Sequence, residues 1–311
     1  MNSELENMTE LSVNNNPVSI IVVNFNAGDL LKICIFKCLE QAEQVIIVDN
    51  NSTDNSVEGV RACFDNEPRL NIISNEENVG FAAGCNIGTE VANNDYCLYL
   101  NPDTELQENT VGKLVSAFQI YPVVGMTGGL LTNSDGTEQG GGRRAIPTPW
   151  RSFVRAFGLT RFSNRWPRLF FDFHLHKQSL PDKPIEVEAI SGACMMVKRE
   201  TIIELGGWDD EYFLHCEDLD LCMRYRQAGW KILFVPDAKI THHLGVCSRA
   251  IPIFVEWHKH KGMNRFYRKF FQHQYPGALM WLVKLGVWMR FSAVVLIIIV
   301  RRFLGKFRIE K

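Results

Sequence analysis

Within its first hundred residues the chain alternates short apolar runs with segments of helical period, and that alternation restricts the fold more than any other feature. Residues 18–24, 44–49, 70–73 and 96–100 are apolar and bounded by polar residues, the pattern of strands buried on both faces of a parallel sheet. Between the first two, Leu30, Leu31, Cys34, Ile35, Cys38 and Leu39 recur at helical spacing. That makes a βαβ unit, whose crossover is almost always right-handed. Residues 80–88 are small enough for a helix to pack closely before the fourth run. Four such strands with intervening helices define an α/β layer over a parallel sheet.

The fourth run stops at Asn101-Pro102-Asp103, where Pro102 has no N–H to extend the ladder. Asp103 therefore stands at the C-terminal end of a strand, the edge where open α/β sheets bind ligands. It can either cap the next helix or hold a divalent cation against a phosphate. The first two strands end in Asn24-Phe25-Asn26 and Asp49-Asn50-Asn51-Ser52-Thr53-Asp54, residue types that favour turns and helix N-caps. Asp49 differs, because as the last strand residue it is positioned to accept hydrogen bonds from a base or ribose. Neither G-x-G-x-x-G nor G-x-x-x-x-G-K-[ST] follows any strand, so a bound phosphate would be held by metal and side chains.

A helix near residues 107–121 and a strand near 123–131 lead into residues 133–185, rich in Gly and Pro. From Arg143 to Phe171 this segment has seven arginines, no acid, and Trp150, Phe153, Phe157, Phe162, Trp166, Phe170 and Phe171. It reads as an acceptor-binding flap that touches lipid or pyrophosphate, or as a basic face over a local core. Residues 189–197 read as one strand, 200–205 as a short helix, and 218 onward as a helix ending at Gly229. In that helix positions 218, 221, 222 and 225 share a face, so Asp218 begins a stripe otherwise apolar. The helix dipole alone would favour an acid there. Glu217, Asp218 and Asp220 together exceed what a cap needs, and a positioned carboxylate suits general-base chemistry. Residues 231–235 form a strand, and His242 and His243 follow another.

Charge is divided unevenly. From Arg249 onward thirteen Lys or Arg face only Glu256 and Glu310, a tail of +11 on a body of −13. Because its cations are interleaved with Ile, Val, Leu and Trp, the tail suits an anionic membrane surface rather than nucleic acid. Lys284 and Arg290 interrupt its apolar stretch, which favours lying in the interface over spanning it; docking on the body or on a homodimer partner is the alternative. Nine cysteines without a C-x-x-C pair suit reduced, buried thiols in a cytosolic compartment. Residues 1–16 read as a disordered leader.

These pieces, taken in order, resemble the family 2 inverting glycosyltransferases of GT-A fold, and among them the bacterial rhamnosyltransferase-like branch that builds cell-surface polysaccharide. The carriers are residues 18–26, Val48-Asp49 through Asp54, Asn78-Val79-Gly80-Phe81 through Asn86, Asn101-Pro102-Asp103, Ser191-Gly192-Ala193, Gly207-Trp208-Asp209, Glu217-Asp218-Leu219-Asp220 and His242 or His243. The resemblance covers residues 17–248, with 249–311 left as membrane-interface helices. It implies a mixed, mostly parallel sheet with helices on both faces. It also implies a nucleotide-diphosphate sugar, dTDP-L-rhamnose above others, contacted by Asn24, Asn26, Asp49, Asn78, Asn86, Asn101 and Asp103. Mg²⁺ or Mn²⁺ would sit on Asp103 with His242 or His243. Asp218 would be the base, with Glu217 beside it, acting on a polyprenyl-diphosphate-linked saccharide at the cytoplasmic face of the plasma membrane. Asn101 occupies the first position of the family's D-x-D element, which leaves the metal one anionic ligand fewer. Two other classes compete: an inactive nucleotide-sugar-binding scaffold, and a nucleotidyltransferase, for which the loop after the first strand lacks a Gly-rich segment bearing Lys or Arg.

Overall fold

The computed structural model describes residues 16–163, 165–243 and 251–309. The expected leader therefore lies, apart from Asn16, outside the described residues. The chain runs β1 (Asn16–Asn24), α1 (Leu30–Leu39), β2 (Ala42–Asp49), α2 (Ser56–Cys63), β3 (Leu70–Ser74), α3 (Phe81–Val91), β4 (Tyr96–Leu100) and β5 (Thr104–Leu106). Then come α4 (Thr110–Ile120), β6 (Val124–Thr132), β7 (Arg143–Arg144), α5 (Pro149–Ala156), β8 (Ile185–Glu186), β9 (Ala189–Ile190), β10 (Cys194–Lys198) and α6 (Arg199–Glu204). The last elements are α7 (Glu217–Gln227), β11 (Lys231–His242), α8 (Pro252–Phe271) and α9 (Gly277–Ile309).

The main sheet has the order β3-β2-β1-β4-β10-β6-β11-β5, with β8 also on β11. The four strands expected from the first hundred residues are all parallel, and β10 enters antiparallel between β4 and β6. Alternate strand residues face opposite layers: Ile20 and Val22 join α1, α2 and α4, whereas Ile21 and Val23 join α3, α7 and α8. This double burial is why the strands read as unbroken apolar runs. On β1, α3 approaches so closely that a Cβ at Gly84 would lie 2.8 Å from a Val23 methyl, and Gly88 is equally confined by Ile21.

Three sequence expectations change. The strands expected at 231–235 and just before His242 are one, β11, whose pairing with β6 shifts register between Val235 and Lys239. The single strand expected over 189–197 is broken at Ser191, Gly192 and Ala193, because β9 pairs with β7 in a separate two-stranded sheet while β10 pairs with β4 and β6. The long loop of 133–185 contains a helix, α5, begun by Thr148, whose hydroxyl caps Arg151 N, with Pro149 in its first turn. Four of its seven arginines are paired with acids outside the basic run: Arg143 with Glu138, Arg144 with Asp218, Arg151 with Glu188, and Arg155 with Asp172. Its aromatic residues Trp150, Phe153, Phe157 and Trp166 remain exposed.

The tail divides in two. α8 is docked on the body through buried Phe266, Tyr267 and Phe271 and through ion pairs. Arg265 clamps Asp209 at 2.9 and 3.0 Å, and Lys269 reaches both Asp209 and the buried Asp220 at 2.6 and 2.7 Å. Burial pushes the Asp209 carboxyl up, but Lys269 and Arg265 outweigh it and hold it below its usual range. α8 is thus docked on the body, and Asp220 accounts for part of the acid excess at α7.

α9 packs on α8 at its start, where Val287 is buried and Trp257, Trp288 and Phe291 cluster at centroid separations of 5.1–5.7 Å. Farther on, Leu296, Ile297, Ile299, Val300, Phe303 and Leu304 are exposed. The stretch Gly277–Leu304 is long and apolar enough to cross a membrane, with mean hydropathy 2.1 over its most apolar 18 residues. The two charges counted against a span face α8: Arg290 Nη1 lies 3.1 Å from His260 Nε2, and Lys284 lines a groove shared with α8.

Candidate functional site

The C-terminal ends of β1 and β2 are locked together by side chains. Asn24 Nδ2 donates to Asp49 Oδ1 at 2.8 Å and lies 3.0 Å from the hydroxyls of Ser52 and Ser56, while Ser52 donates to Asp49 through both Oγ and N. Asn26, in a left-handed conformation at φ 55°, accepts from Thr53 N and Asp54 N. Asp49 is 6% exposed. Its carboxylate organises the loop that follows β2. Asn24 Oδ1 is buried without a hydrogen-bond partner among the described residues.

Asn78 and Asn86 are also turned inward. Asn78 Oδ1 accepts from Gly80 N at the turn into α3, where φ of +88° and the Phe213 carbonyl, 2.6 Å from any Cβ, require glycine. Asn86 holds both backbone groups of Trp208, accepting from its N–H at 2.8 Å and donating to its carbonyl at 2.9 Å. Its amide is therefore committed to positioning the Gly207-Trp208-Asp209 turn rather than to the open cleft.

Beyond β4, Asp103 is 4% exposed and its Oδ1 lies 3.2 Å from His242 Nε2. The two histidines part company. His242 turns to Asp103 and Asn101, whose Nδ2 lies 3.4 Å from the same Nε2, whereas His243 Nε2 pairs with Glu105 at 2.6 Å. Register explains the parting, since β11 sets Thr241 opposite Glu105 and side chains alternate along a strand, so His243 shares the Glu105 face and His242 takes the other.

Gln139, unnoticed in the sequence, fixes the imidazole. Its Nε2 donates to Asn133 Oδ1 and to the His242 carbonyl, so its Oε1 faces His242 Nδ1 at 2.7 Å and assigns the proton to that nitrogen. Nε2 is left with its lone pair toward a carboxylate oxygen. Two facing acceptors, one imidazole nitrogen and one carboxylate oxygen, form a donor set that suits a divalent cation, and the nitrogen-bound partner is the usual second support of a metal-ligating histidine. No third His, Cys, Asp or Glu joins them among the described residues. Such a pair suits Mg²⁺ or Mn²⁺ completed by phosphate oxygens and water.

At the start of α7, His215 and Cys216 both adopt left-handed backbone, at φ 69° and 74°. Such conformations cost free energy and turn the chain sharply into the helix. Asp218 then points at the break between β9 and β10: its Oδ2 accepts from Gly192 N at 3.2 Å and forms an ion pair with Arg144, and its Oδ1 accepts from Leu219 N at 2.7 Å. Burial works against the charge on Arg144, but the Asp218 carboxylate outweighs it and raises the guanidinium pKa. The adjoining Ala193 carbonyl accepts from Asn101 N at 3.2 Å. The segment Ser191-Gly192-Ala193 thus ties Asp218 to the Asn101–Asp103 turn.

Glu217 is not beside Asp218 in the cleft. It is 7% exposed, its Oε2 has no hydrogen-bond partner among the described residues, and burial, assisted by the charge on Asp218, pushes its carboxyl up to about 8. Between the ordinary 4.5 and about 8 the folded protein keeps a proton that the unfolded chain releases. Stability should therefore fall as pH rises through that window. Glu217→Gln, which cannot titrate, should lack this fall, so the melting-temperature gap between wild type and variant should shift against wild type from pH 5 to pH 8. Parallel pH profiles would contradict the assignment.

A mixed, mostly parallel sheet of this order, with a carboxylate and a histidine at its C-terminal edge, is the GT-A architecture of enzymes that use nucleotide-activated sugars. The family model for Glycosyl transferase family 2 matches residues 19–206, and the chain belongs to that family. The chain is a glycosyltransferase, which removes the nucleotidyltransferase reading. It is 26% identical over 238 residues to the N-acetylglucosaminyl-diphospho-decaprenol L-rhamnosyltransferase of Mycobacterium tuberculosis, covering 72% of this chain and 75% of the relative. Among solved structures, the mannosyltransferase PcManGT of Pyrobaculum calidifontis, in complex with GDP-Man and Mn²⁺, superimposes with a TM-score of 0.55 at 15% identity, covering 87% of this chain and 70% of that one. GalNAc-T7 with UDP, GalNAc and Mn²⁺ gives 0.54 at 18% identity, covering 72% of this chain and 43% of that one.

Proposed function

We propose that the chain is an inverting, divalent-metal-dependent glycosyltransferase that moves L-rhamnose from dTDP-L-rhamnose to a polyprenyl-diphosphate-linked saccharide at the cytoplasmic membrane face. The observation that carries this reading is the Ser191-Gly192-Ala193 segment, which bonds Asp218 on one side and Asn101 on the other. A candidate base and a candidate metal site thereby border one cleft. The mycobacterial relative, whose name gives rhamnose and a diphospho-decaprenol acceptor, supports the choice of donor and acceptor.

Asp103 and His242 would hold Mg²⁺ or Mn²⁺, which when bound neutralises charge gathering on the departing diphosphate. Asn101 and Gln139 orient the His242 ring, and the β1 and β2 loops built on Asn24, Asn26 and Asp49 border the nucleoside side. Asp218 takes the proton from the acceptor hydroxyl. As it does so, the hydroxyl oxygen bonds to the anomeric carbon, the bond from that carbon to the diphosphate oxygen breaks, and the nucleoside diphosphate leaves with the electron pair. Attack in line inverts the configuration. Arg144 and Gly192 N keep the carboxylate from swinging, while Oδ1, with one internal hydrogen bond, retains a lone pair for the proton.

Incubation with a panel of nucleotide sugars and Mn²⁺ tests the donor: dTDP-L-rhamnose should raise the melting temperature most and be turned over in the presence of acceptor. Greater protection and turnover with a UDP- or GDP-sugar would overturn that choice. The outer part of α9 provides the membrane contact in this reading. Deleting residues 275–311 should release soluble protein that still binds donor but transfers poorly to acceptor in membranes. Persistence in the membrane fraction through carbonate and high-salt washes would move the anchor to the exposed aromatic residues of α5 and the segment after it.

A further inference from the structure

A groove of about 490 Å³ opens between α8 and α9, within the size range of sites that take small ligands. Its apolar lining comes from α9, chiefly Met280, Val283 and Trp288, with Trp281 exposed at 62%. Its polar lining is Asn264, Gln272, Glu211 and four cations. Arg265 is spent on Asp209 and Glu211, the one acid in the groove. Lys261, Arg268 and Lys284 converge on it from two helices, all exposed, and form no ion pair among the described residues. Like charges gathered without a counter-charge repel one another, and an anion seated among them reverses the sign of that interaction.

We propose that this groove seats the phosphate headgroup of an acidic phospholipid. Charge complementarity selects an anion, and the direction of α9 selects a lipid. From Lys284 the helix runs about 18 Å to Leu296, at 1.5 Å per residue, past the exposed Leu285 and Met289 to the purely aliphatic exposed surface of Leu296, Ile297, Ile299 and Val300. Cations and tryptophans at one end, followed by bare aliphatic surface, match the order of headgroup and hydrocarbon in a bilayer leaflet. The proposal rests on the reading that α9 reaches the membrane.

Flotation of the full chain with vesicles of phosphatidylcholine alone, and of phosphatidylcholine with phosphatidylglycerol, separates the two ideas. Wild type should bind neutral vesicles through α9 and acidic ones more tightly. The double variant R268Q/K284Q should keep neutral binding and lose most of the acidic increment, since each cation near an anionic surface contributes roughly fivefold. Native mass spectrometry of the detergent-extracted protein should find one phosphatidylglycerol on wild type and on R301Q/R302Q, and none on R268Q/K284Q. Neutral binding with no acidic increment, or an increment that R268Q/K284Q retains, overturns the headgroup seat alone. Binding to neither vesicle overturns the membrane reading and the seat with it. Stabilisation by inorganic phosphate equal to that by the lipid would assign the groove to a free anion and overturn the lipid.

Discussion

Asp218→Asn should slow sugar transfer by about two to four orders of magnitude, the usual worth of a general base, while donor affinity stays within a few-fold. The substitution is nearly isosteric, so the cleft keeps its shape and Gly192 N keeps an acceptor. What is lost is a group able to take the acceptor proton. The change also leaves the half-buried Arg144 without a counter-charge, so a fall in melting temperature is expected and must be measured beside the rate. Glu217→Gln provides the comparison. Its carboxyl is buried and points away from the cleft, so the transfer rate at neutral pH should stay near wild type. A larger rate loss in Glu217→Gln than in Asp218→Asn would reassign the base to Glu217.

Asp103→Ala should abolish metal-dependent donor binding and lower transfer by about three orders of magnitude or more, because neutralising the leaving diphosphate is worth several kcal/mol. The fold should survive. The Asp103 side chain contacts His242 in the site, whereas the bond joining this turn to β11, from His243 N to the Asp103 carbonyl at 2.8 Å, belongs to the backbone. Titration of Mn²⁺ against donor binding reads the effect, and normal metal dependence in Asp103→Ala would sink the metal assignment.

The sheet was legible in the sequence because burial on both faces leaves continuous apolar runs, and β1 to β4 needed only that pattern. The break at Ser191, Gly192 and Ala193 was not, since three small residues carry no period and the split follows from which strands lie alongside. Whether His242 or His243 faces Asp103 depends on a register between β11 and β5, strands more than a hundred residues apart, and local pattern carries no trace of it. Arg144 was one of seven arginines in a basic run, and its partner lies 74 residues onward. Asn86 stood in a motif, yet its work is on Trp208, 122 residues away. The acids of α7 were read together as chemistry; Asp218 faces the cleft, Glu217 faces the interior, and Asp220 belongs to Lys269 and Arg224.

The stereochemistry of the product tests the central proposal most directly. The purified protein, given dTDP-L-rhamnose, Mn²⁺ and a polyprenyl-diphosphate-linked N-acetylglucosamine, should yield a glycoside whose anomeric configuration, read by NMR, is opposite to that of the donor. In Asp218→Asn the product should form far more slowly. A product that retains the donor's configuration would contradict single displacement with Asp218 as base, and absence of turnover with every nucleotide sugar would return the chain to the inactive scaffold reading.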